Sequence, residues 1–314
     1  MTGDETRLTV RMRCCAVCES SNLSRADDGV LDFEYASSGS YTYWRCEGCA
    51  LLNIDPVPSP ETLGLAYPDS YHAYHPHATR LARILKKRYW SRKAARLTRL
   101  VPRGGSVLDV GCATGDLLVE LKALGVTDVT GIDFNERVVA LAREKDVNVF
   151  QGDFDTCSFD EKRFDLIVMT NFIEHVYDPI ASMRRARDLL KPGGQLVGET
   201  PNWASWDYYL FRRYWGGYHT PRHLHLFNRS SLGVLGERSG FVMRGMTNIL
   251  QPAHWALSVQ NRLQASRCRL RMERGRTSLF APLILTSAPV NLLQMVFADT
   301  SLVEFLFERT NDGL

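Results

Sequence analysis

Three sets of residues in this 314-residue chain have side chains and spacings that could do chemistry. Cys15-Ala-Val-Cys18 and Cys46-Glu-Gly-Cys49 are two C-x2-C pairs separated by 27 residues. Each short loop can aim two thiolates at one point, and two such loops supply the four soft ligands of tetrahedral zinc. Asp109, Asp133 and Asp153 each close a short apolar run, and Gly111, Ala113 and Gly115 follow the first of them. Small residues there let the backbone turn sharply and approach a ligand. An acid about 20 residues beyond such a turn can accept hydrogen bonds from ribose hydroxyls, and Asp133 stands 24 positions after Asp109. Finally, His175 follows Asn171 in NFIEHV, and His219, His223 and His225 stand in GGYHTPRHLHLF. Imidazole titrates near neutral pH and suits a general base.

The elements that must position these groups follow from the pattern around them. From Gly105 onward, strand and helix signals alternate: SVLDV, DLLVELKALG, VTGID, NERVVALAREK, VNVF, FDLIVM, DPIASMRRARDLL and QLVGE. That alternation predicts a mainly parallel sheet covered by helices on both faces, with its ligand beyond the C-terminal strand ends. GFVMRGMTNIL and SLVEFLFER are expected to add a sixth and a seventh strand. The 45 or so residues between them are expected to form two short helices broken at Pro282 and Pro289, as a cap over the acceptor or a face for peripheral membrane contact. The predicted fold class is therefore α/β, a seven-stranded Rossmann-like sheet preceded by a small N-terminal zinc ribbon. The divisions are 1–60 for the ribbon, 61–103 for a linker and basic helix, 104–251 for the core, 252–297 for the helical cap and 298–314 for the closing strand.

Five of the eight cysteines lie in the first 49 residues. The ribbon is too small to bury a sufficient core, so the metal would supply much of its folding free energy. Metal-free thiols and two disulfides are the alternatives, and Cys14 competes with Cys15 for the first position. A catalytic zinc does not fit, since four thiolates leave no open position. The start, MTGDETRLTVRMRCC, lacks an apolar segment behind a basic one, and no run of about 18 apolar residues is uninterrupted. A cytoplasmic location without a spanning helix is the expectation. Net charge is +3, from 38 Lys and Arg against 35 Asp and Glu, which is too balanced to mark the whole chain as a nucleic-acid binder. The local exception is Arg80 to Arg103, with ten Lys or Arg and no acid; a solvated helix face is the plain reading and contact with an anionic acceptor the sharper one.

The ordered segments resemble the class I S-adenosylmethionine-dependent methyltransferases, specifically zinc-ribbon-containing members acting on small molecules. VLDVGCATGD resembles that family's glycine-rich motif, GID its ribose acid, QGDF its adenine segment, FDLIVMTNFIEHVYDP the strand and loop beside the methyl group, and LKPGGQLVGETPN the turn into the fifth strand. The resemblance covers roughly residues 100 to 250. It implies S-adenosylmethionine as cofactor, with Gly111, Ala113 and Gly115 lining the methionine portion and Asp109 holding the loop or the amino group. Asp133 would take the ribose hydroxyls, with Phe134 beside it; Asp153 and Phe154 would flank adenine; Asn171 would lie by the sulfonium. Ala113 departs from the family's middle glycine. A nicotinamide dehydrogenase shares the glycine turn and ribose acid, but Asp116 stands where its third glycine would be.

Methyl transfer to a hydroxyl needs a base, for which His175, His219 and His223 are the candidates. PRHLHLF resembles a stretch of the zinc-ribbon members, which favours His223. The aromatic run from Trp203 to Tyr218 is read as walls for an apolar or planar acceptor, and Arg212, Arg213 and Arg222 as a grip for an anionic one. The reading is O-methylation of a small or lipid-like metabolite, of the kind found in secondary metabolism. The alternatives are C-methylation of a sugar or isoprenoid and a non-catalytic binding protein on the same scaffold. TNFIEH in place of an Asn/Asp-Pro-Pro-aromatic segment argues against a nucleic-acid methyltransferase.

Overall fold

The computed structural model describes residues 13–37, 39–68, 71, 80–159, 163–266 and 270–310. The first twelve residues of the ribbon segment, 267–269 of the cap and 311–314 of the closing segment lie outside them. Two sheets organise the chain. The first is antiparallel, in the order β1 (Leu23–Val30), β2 (Tyr41–Cys46), β3 (Leu52–Asp55) and β9 (His225–Leu226). The second has seven strands in the order β10 (Phe241–Asn248), β11 (Leu302–Arg309), β8 (Leu190–Pro201), β7 (Phe164–Thr170), β4 (Ser106–Val110), β5 (Asp128–Asp133) and β6 (Asn148–Gln151). From β8 to β6 all neighbours are parallel, and β11 is antiparallel to both β8 and β10.

Helices cover both faces of the large sheet. On one face α2 (Arg80–Leu97), α3 (Asp116–Ala123) and α4 (Glu136–Arg143) bury Ala94, Leu97, Leu117, Leu118, Val139 and Ala142 against Val107, Leu166 and Val168. On the other, α5 (Pro179–Leu189) and α7 (Arg229–Arg238) bury Met183, Ala186, Leu232 and Leu235 against Leu108, Ile167, Leu196 and Phe305. Local caps start these helices where the chain leaves a strand end. The Asn135 side chain accepts from Arg137 N and Val138 N, and Asp178 from Ala181 N. Gly115 caps α3 without a side-chain bond, which leaves that helix's N-terminus facing the glycine loop.

The cysteine-bearing segment is joined to the core. Cys15, Val17, Cys46 and Cys49 belong to the same buried cluster as α5 and α7, and β9, from the far half of the chain, completes the small sheet. The aromatic run is largely structural. Trp203, Tyr208, Trp215 and Tyr218 are buried against Tyr41, Tyr43, Leu52 and Ile54, and the Tyr208 and Tyr218 hydroxyls both donate to Asp27 Oδ2, at 2.8 and 2.7 Å. These rings anchor the segment after β8 to the small sheet, while Trp206 and Tyr209 remain exposed.

Between β10 and β11 the chain forms α8 (Pro252–Ala265) and α9 (Phe280–Phe297), packed on one another. The two helices are separated at 266–279, not at the prolines. Pro282 lies in the first turn of α9, where its missing N–H is unneeded, and Pro289 is carried within the helix. In consequence α9 is long and apolar enough by length and composition to cross a membrane, with mean hydropathy 1.5 over 18 residues. Interruption by Thr286, Ser287, Asn291 and Gln294 hides this from a search for unbroken apolar runs. Leu285, Leu292, Leu293, Val296 and Phe297 on it are exposed, whereas Asn291 and Gln294 are buried and hydrogen-bonded. α8 covers the aromatic segment: Trp255 packs edge-on against Phe211, and His254 against Trp215.

Candidate active site

The strand order reverses beside β4, and the loops after β4, β5, β6, β7 and β8 meet at one end of the sheet. Asp109 is buried there, and burial lifts its carboxyl to about 7, with Lys93 opposing the rise. After it the chain turns through left-handed conformations at Gly111 (φ 71°), Ala113 (φ 47°) and Gly115 (φ 69°). A Cβ at Gly111 would stand 3.4 Å from Phe172, and one at Gly115 would stand 3.0 Å from Val147. Ala113 tolerates the same region because Asp133 Oδ2 accepts its N–H at 2.9 Å, while Asp133 Oδ1 accepts Asn135 N at 2.9 Å. Asp133 is thus fixed at the end of β5 and braces the glycine loop. The Phe134 ring next to it is 62% exposed, an apolar surface at the mouth of the cleft.

Asp153 is exposed after β6, and its Oδ1 accepts Asp155 N at 2.8 Å. Phe154 turns the other way: it is buried edge-on to Phe172 with the Arg185 guanidinium over its ring. The exposed ring available to a planar ligand is therefore Phe134 and not Phe154. Asn171 is exposed in a left-handed conformation (φ 50°), its N–H bound to Glu199 O at 2.8 Å. Beneath it Glu199 is buried and pairs with Lys93 Nζ at 2.7 Å and the Tyr89 hydroxyl at 2.7 Å. One member of the basic run on α2 thus serves as a buried counter-ion to the acids at the strand ends, a role that its helical spacing did not reveal.

The histidines gather beside this cleft. Ring centroids are 4.6 Å apart for His175 and His223, 4.9 Å for His219 and His223, and 5.8 Å for His219 and His254. His175 Nδ1 lies 2.9 Å from Arg222 O and 3.1 Å from the Tyr67 hydroxyl; Tyr67 in turn packs edge-on to Phe134. His223 Nδ1 lies 2.9 Å from Gly217 O. Burial holds both rings neutral, His175 down to about 4 and His223 well below its usual value. His219 Nδ1 lies 2.6 Å from Glu34 Oε1. His225 points away into the body of the protein, buried with neither ring nitrogen in a hydrogen bond to the described residues.

Glu34 and Asp32 come from the N-terminal segment and were not expected in the site. They receive the buried Arg222 guanidinium, Nη1 to Asp32 Oδ2 and Nη2 to Glu34 Oε1, both at 3.2 Å. Arg222 is consequently an internal brace and not a grip for an anionic acceptor. Only its position among histidines hinted at a role, and the sequence could not indicate its partners 190 and 188 residues away.

The four cysteines form a separate cluster. Cys15 and Cys49 Sγ are 3.5 Å apart, Cys18 and Cys46 Sγ 3.3 Å, and all four sulfurs lie within 4.8 Å of one another. Sulfurs about 2.3 Å from a tetrahedral zinc are separated by roughly 3.8 Å, so the set fits that ion. The two turns repeat: Cys15 O accepts Glu19 N and Cys46 O accepts Ala50 N, with Glu19 and Ala50 both left-handed at φ 62° and 64°. Cys14 is exposed, outside the cluster. A zinc ion here would be structural, held by Cys15, Cys18, Cys46 and Cys49.

A switch-point cleft with a braced glycine loop, an acid at the second strand and an antiparallel final hairpin define a nucleotide-type α/β site of the methyltransferase kind. Residues 80–244, just over half of the chain, match the methyltransferase domain family, and the chain belongs to it. That family's cofactor is S-adenosylmethionine, and the residues that would hold it here are those of the cleft around Asp109, Gly111, Gly115 and Asp133. Its residues suit the ligand: a loop of left-handed turns at Gly111 and Gly115 that brings the backbone to the surface of the cleft, a fixed carboxylate and an exposed ring. Among curated proteins the chain is similar to demethylmenaquinone methyltransferase of Staphylococcus aureus, 36% identical over 104 residues. That match covers 31% of this chain and spans less than half, 43%, of the relative. Among solved structures it shares its fold with a Haemonchus contortus phosphoethanolamine N-methyltransferase 2, bound there to phosphomonomethylethanolamine and S-adenosylhomocysteine. The TM-score is 0.50 at 18% identity, covering 71% of this chain and 53% of that one. A Thermotoga maritima S-adenosylmethionine-dependent methyltransferase aligns with TM-score 0.49 at 17% identity, over 77% of this chain and 100% of that one.

Proposed function

We propose that this chain methylates a hydroxyl oxygen of a small-molecule acceptor, with His219 as the base. Bound S-adenosylmethionine supplies a methyl group on a positively charged sulfur. Asp133 would hold its ribose, Gly111 to Gly115 its methionine portion, Phe134 and Asp153 the adenine side, and Asn171 the neighbourhood of the sulfonium. In-line displacement asks the protein chiefly to align the nucleophile and exclude water. An oxygen nucleophile also requires somewhere for its proton to go.

The observation that carries this reading is the 2.6 Å contact between Glu34 and His219 Nδ1. A carboxylate at Nδ1 sets the tautomer, leaves Nε2 to accept a proton and stabilises the imidazolium that results. His175 and His223 have backbone carbonyls at Nδ1 and lack that charge. His219→Asn is expected to lower kcat by about 10²- to 10⁴-fold, with the affinity for S-adenosylmethionine unchanged. Release of S-adenosylhomocysteine over a panel of hydroxylated acceptors measures this, and undiminished turnover in the variant would remove His219 from the role. Carbon methylation is the second reading; methyl transfer that survives loss of His219 and appears on carbon would select it.

A further inference from the structure

Glu174, His175 and His223 each place one donor atom within 4.8 Å of the others. Glu174 is fully buried, and its Oε2 accepts the Thr200 hydroxyl at 3.0 Å. Its Oε1 is also buried and has no hydrogen-bond partner among the described residues. A carboxylate oxygen in that position is costly unless a donor or a cation satisfies it.

The two imidazoles are prepared in a complementary way. With Nδ1 of each 2.9 Å from a backbone carbonyl, the proton resides on Nδ1 and the lone pair on Nε2. Metal-binding histidines are oriented by this same kind of outer hydrogen bond. The backbone also ties the three residues together, since Glu174 O accepts Leu224 N at 2.8 Å and His225 N at 3.3 Å. Small side-chain rotations would bring donors from this spacing to the roughly 3–4 Å expected for ligands about 2.1 Å from one ion.

We propose that Glu174, His175 and His223 bind a divalent transition-metal ion whose open positions take the acceptor's hydroxyl. Two imidazole nitrogens and one carboxylate oxygen suit such an ion and leave coordination positions free, unlike the four-cysteine set. This deepens the oxygen-methylation reading and rests on it for the identity of the acceptor atom. The ion makes the hydroxyl more acidic, and the proton passes to His219, whose ring lies 4.9 Å from that of His223. The oxygen lone pair so exposed forms the new O–CH3 bond, while the electron pair of the S–CH3 bond stays with sulfur.

The test is titration of the full-length, zinc-loaded protein with Co2+ alone, followed by visible absorption, with zinc content measured on the same sample. The expected result is one further equivalent showing d–d bands without a thiolate-to-cobalt charge-transfer band. Glu174→Gln keeps the shape and the Thr200 contact and is expected to weaken Co2+ binding at least about 100-fold, the upper range for disturbing a metal site's support. His175→Gln provides the same readout should Glu174→Gln fail to fold. No further equivalent in the wild type, a thiolate band, or unchanged affinity in the folded variants would overturn the site. Calorimetry with S-adenosylmethionine and an acceptor screen on the same samples separate the two claims. Co2+ binding without methylation of any hydroxyl removes the oxygen reading and leaves the metal site. Hydroxyl methylation that is indifferent to chelation and to Glu174→Gln removes the metal site and leaves the oxygen reading.

Discussion

Cys46→Ser is expected to abolish zinc retention in the cysteine cluster and to unfold the N-terminal sheet. Cys46 is fully buried at the end of β2, and its sulfur lies 3.3 Å from that of Cys18. A structural zinc site is worth on the order of 10 kcal/mol to the fold that forms it, comparable with the ~5–15 kcal/mol that keeps a whole domain folded. The sheet would lose its metal and leave Cys15 and Cys49 as buried thiols facing a void. Because Glu34 lies in this N-terminal segment, catalysis is expected to fall with it. The cofactor cleft, built on β4 and β5, should still bind S-adenosylmethionine. Metal analysis, limited proteolysis and calorimetry on one preparation check all three parts. Unchanged metal content and melting temperature would refute the structural role.

The second large effect is expected at Arg222. Its guanidinium is 1% exposed and bonded to Asp32, Glu34 and the carbonyl of Ala66, with the Tyr35 ring 4.9 Å away. Truncation to alanine removes the arginine counter-charge from two buried carboxylates, a change that typically costs about 3–5 kcal/mol. Arg222→Lys should rescue little, because one ammonium cannot reproduce a planar fork reaching two acids and a carbonyl. Thermal melting is the measurement, and a melting temperature within a degree or two of the wild type (about 1 kcal/mol for a chain this size) would show that the acids are satisfied otherwise.

What could be read from the sequence is what is local. β4 and β11 lie almost where the apolar runs of SVLDV and SLVEFLFER place them, because strands buried on both faces are written as short apolar segments. Asp109, Gly111, Gly115 and Asp133 stand out for the same reason: a strand end, a turn and the next strand end are consecutive in the chain. Two knuckles of identical spacing likewise announce themselves.

The rest depends on distant pairs. Glu34 meets His219 across 185 residues and Tyr208 meets Asp27 across 181, and nothing in either local segment signals the partner. Arg222, read as an anion grip, and the buried rings, read as acceptor walls, proved to pack against the N-terminal segment, since aromatic and cationic side chains serve both purposes equally well. Phe154 and Phe134 each follow an aspartate at a strand end, and only the tertiary packing decides that the first faces the core and the second the cleft. Glu174 was legible only as a neighbour of His175, because its burial beside Thr200 depends on β8. In α9, two prolines suggested a break that the helix does not make.

The most direct test of the account is calorimetric titration of the zinc-loaded protein with S-adenosylmethionine and with S-adenosylhomocysteine, alongside Asp133→Ala. Asp133 braces the Ala113 N–H and, in the proposed reading, receives the ribose, so its loss removes charge-assisted hydrogen bonds worth about 1.5–3 kcal/mol each. One site in the wild type, weakened at least ~100-fold in the variant at ~1.4 kcal/mol per tenfold, is the expected result. Failure of both ligands to bind protein that is folded and zinc-loaded would contradict it.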